Sequence, residues 1–368
     1  MIISSTKDFK EICKTILYAI DTSDPTLVKE TLELVAEDNI LSLSVTNREY
    51  FATARLPIDI QEKFKATVNS STFLKLVSQL TTDTLELVVD GSSLIVKADG
   101  TYKIPLIFKD EELLELPRIE LNNITTSMSV SGLILNNILT YNSKELQSAK
   151  VVYKPAQKCY YLDENGAITF TTGACVNNFS LEKPVKLLLS QKVVKLFKLF
   201  SENDKVLFEI SQDQDVNGDV FTNVRFSTDS VEITTTTPSD TKVIDSVPVQ
   251  AIRDMSNRTY DYSVLLDRDH LVKILGRLLV FKDDLSIIAE FKFSNSSCQI
   301  SYCNNVEEIG YNDAQLNPID YTLYLNIETL KNILDGCQEE FITLNFGDHK
   351  AVVIVRQSVR NIIPEWVK

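Results

Sequence analysis

Histidine, tryptophan and methionine are scarce in this sequence of 368 residues, which contains two, one and three of them. The six cysteines form no Cys-x-x-Cys pair, and only Cys298 and Cys303 lie close together along the chain. Protein zinc sites need closely spaced cysteine and histidine ligands. The composition therefore predicts no metal site, and it favours reduced thiols that pack as small apolar side chains.

Nucleotide-binding and catalytic signatures are also absent, since the sequence has no P-loop, no Gly-x-Gly-x-x-Gly and no His-Glu-x-x-His. One enzymatic alternative stays open, a thiol hydrolase with Cys175 as nucleophile and His270 or His349 as base. No known signature surrounds these residues. His270 falls at a predicted helix start and His349 in a predicted hairpin turn. The sequence therefore favours a protein that is not an enzyme and needs no cofactor.

Long apolar runs are lacking as well, although 44% of the residues are hydrophobic. No run reaches the roughly 18 residues that a membrane-spanning helix requires. The first residues, MIISSTKDFKEIC, meet charged side chains too early to be typical of a signal peptide. We therefore expect a cytoplasmic globular protein. Its formal net charge of −14 argues against nucleic-acid binding over the whole surface, but it leaves a local basic surface possible.

One apolar pattern recurs six times along the chain. It places apolar residues at positions i, i+3, i+4 and i+7, which is typical of one face of an α-helix. The copies are 58 to 78 residues apart and begin at Phe9, Phe73, Leu135, Val193, Leu271 and Leu330. The third copy ends on the polar residue Asn142 instead of an apolar one. Six helices at near-even spacing predict an internal repeat.

The stretches between these helices alternate apolar and polar residues, as β-strands do. Segments 31–45 and 84–99 carry Asp-Asn and Asp-Gly at their centres, which is typical of hairpin turns. A helix with about four following strands takes about 60 residues, so pairing such units predicts three domains. We therefore predict an α+β fold with domains 1–118, 119–254 and 255–368. The predicted linkers, which contain proline and charged residues, are 109–123 and 245–257.

Local motifs add a family resemblance that covers the whole chain. The segment LELVAEDNILSLSVTNREYFATARLPI (32–58) resembles the first-domain hairpin of the bacterial sliding clamps, the beta subunits of DNA polymerase III. DPTLVKETLEL (24–34) resembles another first-domain segment of that family, and AVVIVRQSVRNIIPEWVK (351–368) resembles its last strands and tail. Where the family carries Thr-Asp-Gly-His-Arg-Leu, residues 171–176 read TTGACV. The sequence therefore resembles a diverged member, from a bacterium or a phage.

The resemblance implies an architecture and a role. Three tandem clamp domains, each with two helix-plus-four-strand halves, would join head to tail with a second copy in a closed ring. Helices would line the inside, sheets would form the outer wall, and duplex DNA would pass through the hole without sequence preference. DNA polymerase and a clamp loader would bind through short peptides, in the cytoplasm of a bacterial or phage-infected cell. A clamp-fold scaffold and a monomeric processivity protein are the alternatives left open.

The charge distribution offers a test that does not depend on the resemblance. The six predicted helices carry a net charge of +5, so the rest of the chain carries −19. A basic lining with an acidic exterior would give this division, and duplex DNA is the natural occupant of a basic lining. Solvated lysines are the ordinary alternative for any single helix. The predicted DNA-facing residues are Lys10, Lys14, Lys75, Lys192, Lys195, Lys198, Lys273, Arg277 and Lys331.

The resemblance also implies two protein-binding surfaces. The dimer interface would pair a first-domain strand with a strand and a helix end of the third domain, placing Lys103 opposite two acids. Its predicted residues are Lys103, Ile104, Leu106, Leu278, Leu279, Glu307 and Glu308. The partner-peptide groove is predicted to contain Thr171, Gly173, Ala174, Cys175, Val176, Ile363, Pro364 and Trp366. A tryptophan beside an apolar cleft suits the docking of a short apolar peptide.

Overall fold

The computed structural model describes residues 2–3, 5–20, 26, 28, 30–59, 63–148, 154–214, 220–237, 241–282, 287–311 and 320–366. Contacts divide the chain into two compact units, each made of two separate stretches. Unit 1 comprises Met1–Leu135 and Lys195–Ser239, and unit 2 comprises Asn136–Val194 and Asp240–Lys368. This division falls inside the predicted second domain, and the three domain boundaries stay a prediction. Part of the 24–34 motif lies outside the described residues.

Each of the six predicted amphipathic segments is helical. The helices are α1 (Thr6–Leu17), α2 (Ser70–Gln79), α3 (Gly132–Asn137), α4 (Ser143–Ser148), α5 (Gln191–Lys195), α6 (Thr241–Asp245), α7 (Val249–Asn257), α8 (Arg268–Leu279) and α9 (Ile327–Leu334). A π-helical turn, Ile138–Asn142, joins α3 to α4, and a 3-10 turn, Leu196–Leu199, continues α5. Another 3-10 turn covers Pro155–Lys158. None of the helices in the described ranges has the length and hydrophobicity to span a bilayer.

Polar side chains at the N-termini of four helices fix where these helices begin. Each side chain accepts a hydrogen bond from the backbone N–H three residues later, which satisfies a donor that the helix leaves unpaired. The pairs are Ser5 with Asp8, Asn69 with Thr72, Asp267 with His270 and Asn326 with Thr329, at 3.2, 3.0, 2.7 and 2.9 Å. The polar faces of these helices are thereby held in a defined register.

Unit 1 contains two larger antiparallel sheets and a short hairpin. The four-stranded sheet has the order β1-β6-β7-β8 and the eight-stranded sheet the order β11-β16-β17-β18-β4-β3-β2-β5. Their bounds are β1 (Ile2–Ile3), β2 (Thr31–Glu37), β3 (Ile40–Thr46), β4 (Tyr50–Pro57), β5 (Phe64–Asn69), β6 (Leu85–Asp90), β7 (Ser93–Lys97), β8 (Thr101–Pro105), β11 (Ile124–Ser131), β16 (Lys205–Gln214), β17 (Val220–Ser227) and β18 (Val231–Thr237). β9 (Phe108–Lys109) and β10 (Glu112–Leu113) form the hairpin.

Unit 2 repeats this plan with an eight-stranded sheet of order β15-β12-β13-β14-β26-β25-β24-β19 and a four-stranded sheet of order β22-β21-β20-β23. Their bounds are β12 (Cys159–Asp163), β13 (Gly166–Phe170), β14 (Ala174–Asn178), β15 (Lys186–Ser190), β19 (Tyr262–Asp267), β20 (Ile288–Phe293), β21 (Ser297–Tyr302), β22 (Asn305–Gly310), β23 (Tyr321–Asn326), β24 (Phe341–Phe346), β25 (Ala351–Arg356) and β26 (Val359–Pro364). The α+β fold class is confirmed.

The predicted hairpins and helix faces are confirmed. Asp38 and Asn39 adopt positive φ angles of 51° and 60°, as a two-residue hairpin turn between β2 and β3 requires. The apolar helix faces are buried against the sheets, and Phe9 of α1 meets Phe73 of α2 edge to face at 6.1 Å. In unit 2 the apolar faces of α8 and α9 share one core with the sheets.

One expectation needs correction, and the structure explains one irregular helix position. The predicted linker 245–257 contains α7, whose Ile252 is buried in an apolar cluster of unit 2. Its preceding Pro248 suggested a break, yet proline is well tolerated where a helix begins. In the third helix Asn142 interrupts the apolar pattern but is fully buried, and its amide donates to the carbonyl oxygens of Ala167 and Cys175 at 3.4 and 3.3 Å.

Candidate nucleic-acid interface and partner groove

Three of the predicted DNA-facing lysines, Lys75, Lys195 and Lys273, are exposed and share one place in the helix pattern. Each lies two residues after the first apolar residue of its helix. Within the described part of the chain these three side chains form no ion pair or hydrogen bond. Their ammonium groups are therefore available to an external anion.

Five of the other predicted cations already have partners in the chain. Lys10 donates to the carbonyl oxygens of Ser78 and Leu80, at 3.2 and 2.5 Å, and so closes the C-terminal end of α2. The other contacts are Lys14 with Glu11 at 2.6 Å, Lys331 with Asp335 at 2.7 Å, Arg277 with Glu307 at 2.7 Å and Lys198 over the Tyr18 ring at 4.7 Å. Lys192 is half-buried. These side chains are less available to an external anion than the first three.

The Arg277–Glu307 contact joins two residues that the sequence assigned to different surfaces. Arg277 was predicted to face DNA, and Glu307 was predicted to lie at the dimer interface. The hydrogen bond from Arg277 lowers the pKa of the Glu307 carboxyl, and Glu307 in turn raises the pKa of the guanidinium. Glu308, the next residue along β22, accepts a hydrogen bond from Ser297 Oγ at 2.5 Å.

The two strands predicted to form the dimer interface are both sheet edges. β8, which carries Lys103 and Ile104, ends the four-stranded sheet of unit 1, and β22, which carries Glu307 and Glu308, ends that of unit 2. An edge strand leaves one row of backbone N–H and C=O groups without a neighbour in its own sheet. Both strands can therefore accept another strand.

The apolar residues predicted for this interface are mostly buried inside their own chain. Ile104, Leu106 and Leu278 are 3%, 9% and 1% exposed, because their side chains face the sheet–helix core. Leu279 is partly buried against the same core as Leu278. The exposed apolar residues near these positions are Tyr102, Val280, Phe281 and Val306, at 36%, 78%, 54% and 56%. Sequence reasoning missed them, although Val280 and Phe281 extend the apolar run just past the end of α8.

Half of the predicted groove residues come together in unit 2. Thr171, Gly173, Ala174 and Pro364 line a groove of about 280 Å³, which we call the peptide groove. Ile252 and Met255 of α7 and Ile362 of β26 form much of its apolar wall. Lys350 is the one charged side chain among the thirteen residues that line it. A cleft of this size, largely apolar with a single cation, suits a short peptide.

The other four predicted groove residues lie elsewhere. Three of them, Cys175, Val176 and Ile363, are buried, with exposed fractions of 0%, 1% and 1%, and they do not line the groove. Ile362 takes the place assigned to Ile363, because successive side chains of a strand point to opposite faces. Trp366 lies in a separate groove of about 460 Å³, with Glu290 and Tyr324. α7 was missed because its segment was interpreted as a linker.

The residues of the enzymatic alternative do not form a reactive site. Cys175 is fully buried, so its thiol cannot reach a substrate. His270 is exposed at the start of α8, whereas His349 packs edge to face on Tyr260 at 5.4 Å. Within the described ranges no group of three or more histidine, cysteine, aspartate or glutamate side chains is placed to hold a metal ion.

Comparison with known proteins gives a partial match in sequence. No protein-family profile matches the chain. The beta sliding clamp of Mycoplasmopsis pulmonis is 26% identical over 144 residues, which cover 39% of this chain and 35% of that protein. The sequence match thus spans about a third of that relative's length.

Comparison with solved structures covers the whole chain. A sliding clamp (DNA polymerase III subunit beta) from Bartonella birtlesii bound to griselimycin has a TM-score of 0.81 at 13% identity, and the match covers 100% of both chains. The DNA polymerase sliding clamp of Pseudomonas aeruginosa has a TM-score of 0.81 at 14% identity, covering 100% of this chain and 99% of that one. The clamp of Bacillus subtilis has a TM-score of 0.79 at 12% identity, with the same coverage. The chain therefore has the fold of the bacterial sliding clamps over its full length.

Proposed function

We propose that this chain is a DNA sliding clamp, two copies of which close head to tail into a ring around duplex DNA. The ring would keep a DNA polymerase on its template in the cytoplasm of a bacterial or phage-infected cell. The observation that carries the proposal is the match of the entire chain to solved sliding clamps at a TM-score of 0.81. In this role the protein acts by topology and catalyses no reaction, and any ATP would be consumed by a separate loader.

Exposed lysines on the repeated helices support the DNA-binding part of the proposal. Lys75, Lys195 and Lys273 occupy equivalent places on three helices and have no ion-pair partner within the described residues. Contacts from such side chains to phosphate carry no sequence information, so a ring that uses them can slide. The acidic remainder of the chain disfavours DNA elsewhere on the surface.

Ring closure would use the two edge strands. β8 of one copy would pair with β22 of the other, which completes the backbone hydrogen bonds of both sheet edges. Tyr102 and Val306, exposed on these strands, would become buried together with Val280 and Phe281 at the end of α8. Because Glu307 already binds Arg277, Glu308 is the acid that best complements Lys103 across this interface.

The peptide groove would hold the polymerase and the loader. An apolar side chain of the partner peptide would enter between Ile252, Met255 and Ile362. Lys350 is the one charge in the lining, so a carboxylate in the peptide would complement the groove. Tethering at this groove raises the effective concentration of the polymerase at the primer end.

The deciding experiment compares circular and linear DNA. After loading by a clamp loader, a closed ring stays on nicked circular DNA in high salt and slides off when the DNA is cut. Loss at the same rate from both forms would contradict the proposal. Sedimentation separates the alternatives, because a ring has twice the 41.5 kDa mass of the chain, whereas a scaffold or processivity protein that does not close remains at that mass.

A further inference from the structure

A pocket of unit 2 adjoins the peptide groove, and we call it the α7 pocket. It has a volume of about 310 Å³, and residues of β12, β15, α6 and the first turn of α7 line it. Pro248 and Ala251 line both the α7 pocket and the peptide groove, so the two cavities share a wall. A ligand that fills one cavity can therefore extend towards the other.

The first turn of α7 presents backbone N–H groups to this pocket. Pro248 stands at the N-cap position, where no side chain accepts a hydrogen bond from the helix. The N–H groups of Gln250 and Ala251, which both line the pocket, have no acceptor within the described residues. Unpaired N–H groups at a helix N-terminus, together with the helix dipole, attract negative charge.

The buried hydroxyl of Tyr161 is a further donor, from a different element. Tyr161 lines the pocket and is 5% exposed, yet its hydroxyl has no hydrogen-bond partner in the described part of the chain. A buried tyrosine hydroxyl usually finds a partner, because leaving it unpaired costs free energy. Burial, with a smaller effect of the Asp163 carboxylate, raises the pKa of Tyr161 to about 12. The hydroxyl therefore keeps its proton at neutral pH and can donate it to a ligand.

Lys186 and Asp245 are the two charged side chains among the nine residues that line the α7 pocket. They form an ion pair at 2.5 Å, in which both side chains are more than half exposed. An ammonium group carries three donor hydrogens, so Lys186 can bind a second acceptor without leaving Asp245. The pocket thus combines two backbone N–H groups, a phenol and an ammonium with one carboxylate that is already paired. This excess of donors favours an anion over a cation.

We propose that the α7 pocket binds a carboxylate, which is supplied by an aspartate or glutamate of the same partner peptide that occupies the peptide groove. The carboxylate oxygens accept hydrogen bonds from the first turn of α7 and from the Tyr161 hydroxyl, and Lys186 supplies the positive charge. A partner is thereby recognised by an apolar anchor and by an acid at a distance from it. The peptide as source of the carboxylate rests on the proposed function, whereas the carboxylate site itself does not.

The direct test needs no partner protein. The probe is acetyl-glutamate methylamide, which carries one carboxylate, and its matched control is the glutamine derivative, which has nearly the same shape without the charge. We expect the glutamate probe to shift the backbone amide NMR signals of Gln250 and Ala251 saturably, and to bind about fivefold more tightly than the glutamine probe. Equal binding of the two probes, or no shift of these two signals with glutamate, would overturn the proposal.

The ion pair provides two variants with opposite expected effects. Asp245→Asn frees Lys186 and should tighten binding of the glutamate probe, whereas Lys186→Gln removes the positive charge and should weaken it. Both variants break the same ion pair, so a purely structural role would affect them in the same direction. Lys158→Gln, an exposed change of equal charge in the same unit, should leave binding unchanged. A change in the same direction in Asp245→Asn and Lys186→Gln would contradict the proposal.

A second experiment tests the link to the peptide groove. Fluorescent peptides with a leucine-phenylalanine anchor carry glutamate or glutamine at a series of distances on either side of the anchor. We expect a preference for glutamate at one spacing, and Tyr161→Phe should reduce this preference without changing the binding of the anchor alone. An anchor that binds with no such preference at any spacing would overturn the peptide as source of the carboxylate. An anchor that fails to bind, while the glutamate probe still binds, would instead contradict the proposed peptide groove.

Discussion

Arg277 on α8 and Glu307 on β22 form a two-pronged ion pair, with Nε and Nη2 of the arginine at 2.7 and 2.8 Å from the two carboxylate oxygens. The pair ties a helix that was predicted to face DNA to a sheet edge that was predicted to meet a second copy. The planar guanidinium matches the carboxylate geometry, which makes this contact more specific than a single lysine contact. Arg277 is thereby a residue that supports the edge strand, and its availability to phosphate is reduced.

The ion pair predicts a pH-dependent contribution to stability. The pKa of Glu307 is lowered from its ordinary value of 4.5, chiefly by the hydrogen bond from Arg277. Because the pKa of Glu307 is lower in the folded protein than in the unfolded chain, the ion pair stabilises the fold fully at pH values above 4.5. This stabilisation is lost as the pH falls through the lowered pKa of the folded protein. We expect Arg277→Met to lower the melting temperature slightly at pH 7 and to have less effect near pH 3.5, as calorimetry would measure. A difference that grows on acidification would contradict this assignment.

The three exposed lysines predict a charge-reversal phenotype. Changing Lys75, Lys195 and Lys273 together to glutamate should weaken the equilibrium binding of the protein to linear duplex DNA and the salt dependence of that binding. If each lysine contacts one phosphate in both copies of the ring, six contacts are lost, and the slope of log affinity against log salt should fall by about five, at ~0.9 per contact. The matched control changes Lys109, Lys154 and Lys183, which are exposed and lie outside the six predicted helices. Equal losses in the two triple variants would mean that net charge, not position, determines the binding.

Val280 and Phe281, the exposed apolar residues just after α8, are expected to strengthen the proposed dimer. Phe281→Asp should shift the protein from dimer to monomer in sedimentation at micromolar concentration, because a buried unpaired carboxylate strongly disfavours association. Its melting temperature as a monomer should change little, since the Phe281 side chain is 54% exposed. Leu133→Asp on α3, at a residue of 46% exposure, is the matched control and should remain dimeric. A dimeric Phe281→Asp variant would remove this residue from the proposed interface.

Lys350 predicts which peptides the peptide groove prefers. A fluorescent peptide with a leucine-phenylalanine anchor and a nearby aspartate should bind more tightly than the same peptide with asparagine. Lys350→Glu should reverse that order, because it replaces the one charge of the groove lining by its opposite. Lys154→Glu, an exposed change in the same unit, should preserve it. Anisotropy titration measures all six combinations of the three proteins and the two peptides, and an unchanged order in Lys350→Glu would exclude a role for this ammonium in selection.

The repeat and the hairpins could be predicted because short-range rules determine them. The six helices follow from apolar spacing, and the turn at Asp38 and Asn39 follows from residues that tolerate positive φ. α7 was missed because Pro248 resembled a break and the segment is short. Asn142 interrupted an otherwise apolar pattern, and no local rule indicates that backbone carbonyls of distant strands would accept its hydrogen bonds.

The candidate DNA-facing residues were harder to predict, because a lysine is available to phosphate only if no other part of the folded chain binds its ammonium group. Lys10 and Lys75 look alike in the sequence, yet Lys10 donates to the carbonyl of Leu80 and Lys75 is exposed. Whether Ile362 or Ile363 lines the peptide groove depends on which face of β26 packs against α7. A shift of one residue in strand register exchanges the two faces, so the sequence alone does not determine the answer. Likewise, the sequence does not show that Trp366 and Pro364 line different grooves, because this depends on where β23 lies in the fold.

The last described residues serve both grooves of unit 2. Pro364 lines the peptide groove, Trp366 lies in the separate groove with Glu290 and Tyr324, and the Glu365 N–H between them donates to the Lys350 carbonyl at 2.9 Å. Because one short segment lines both grooves, a ligand that displaces this segment from one groove would also disturb the other.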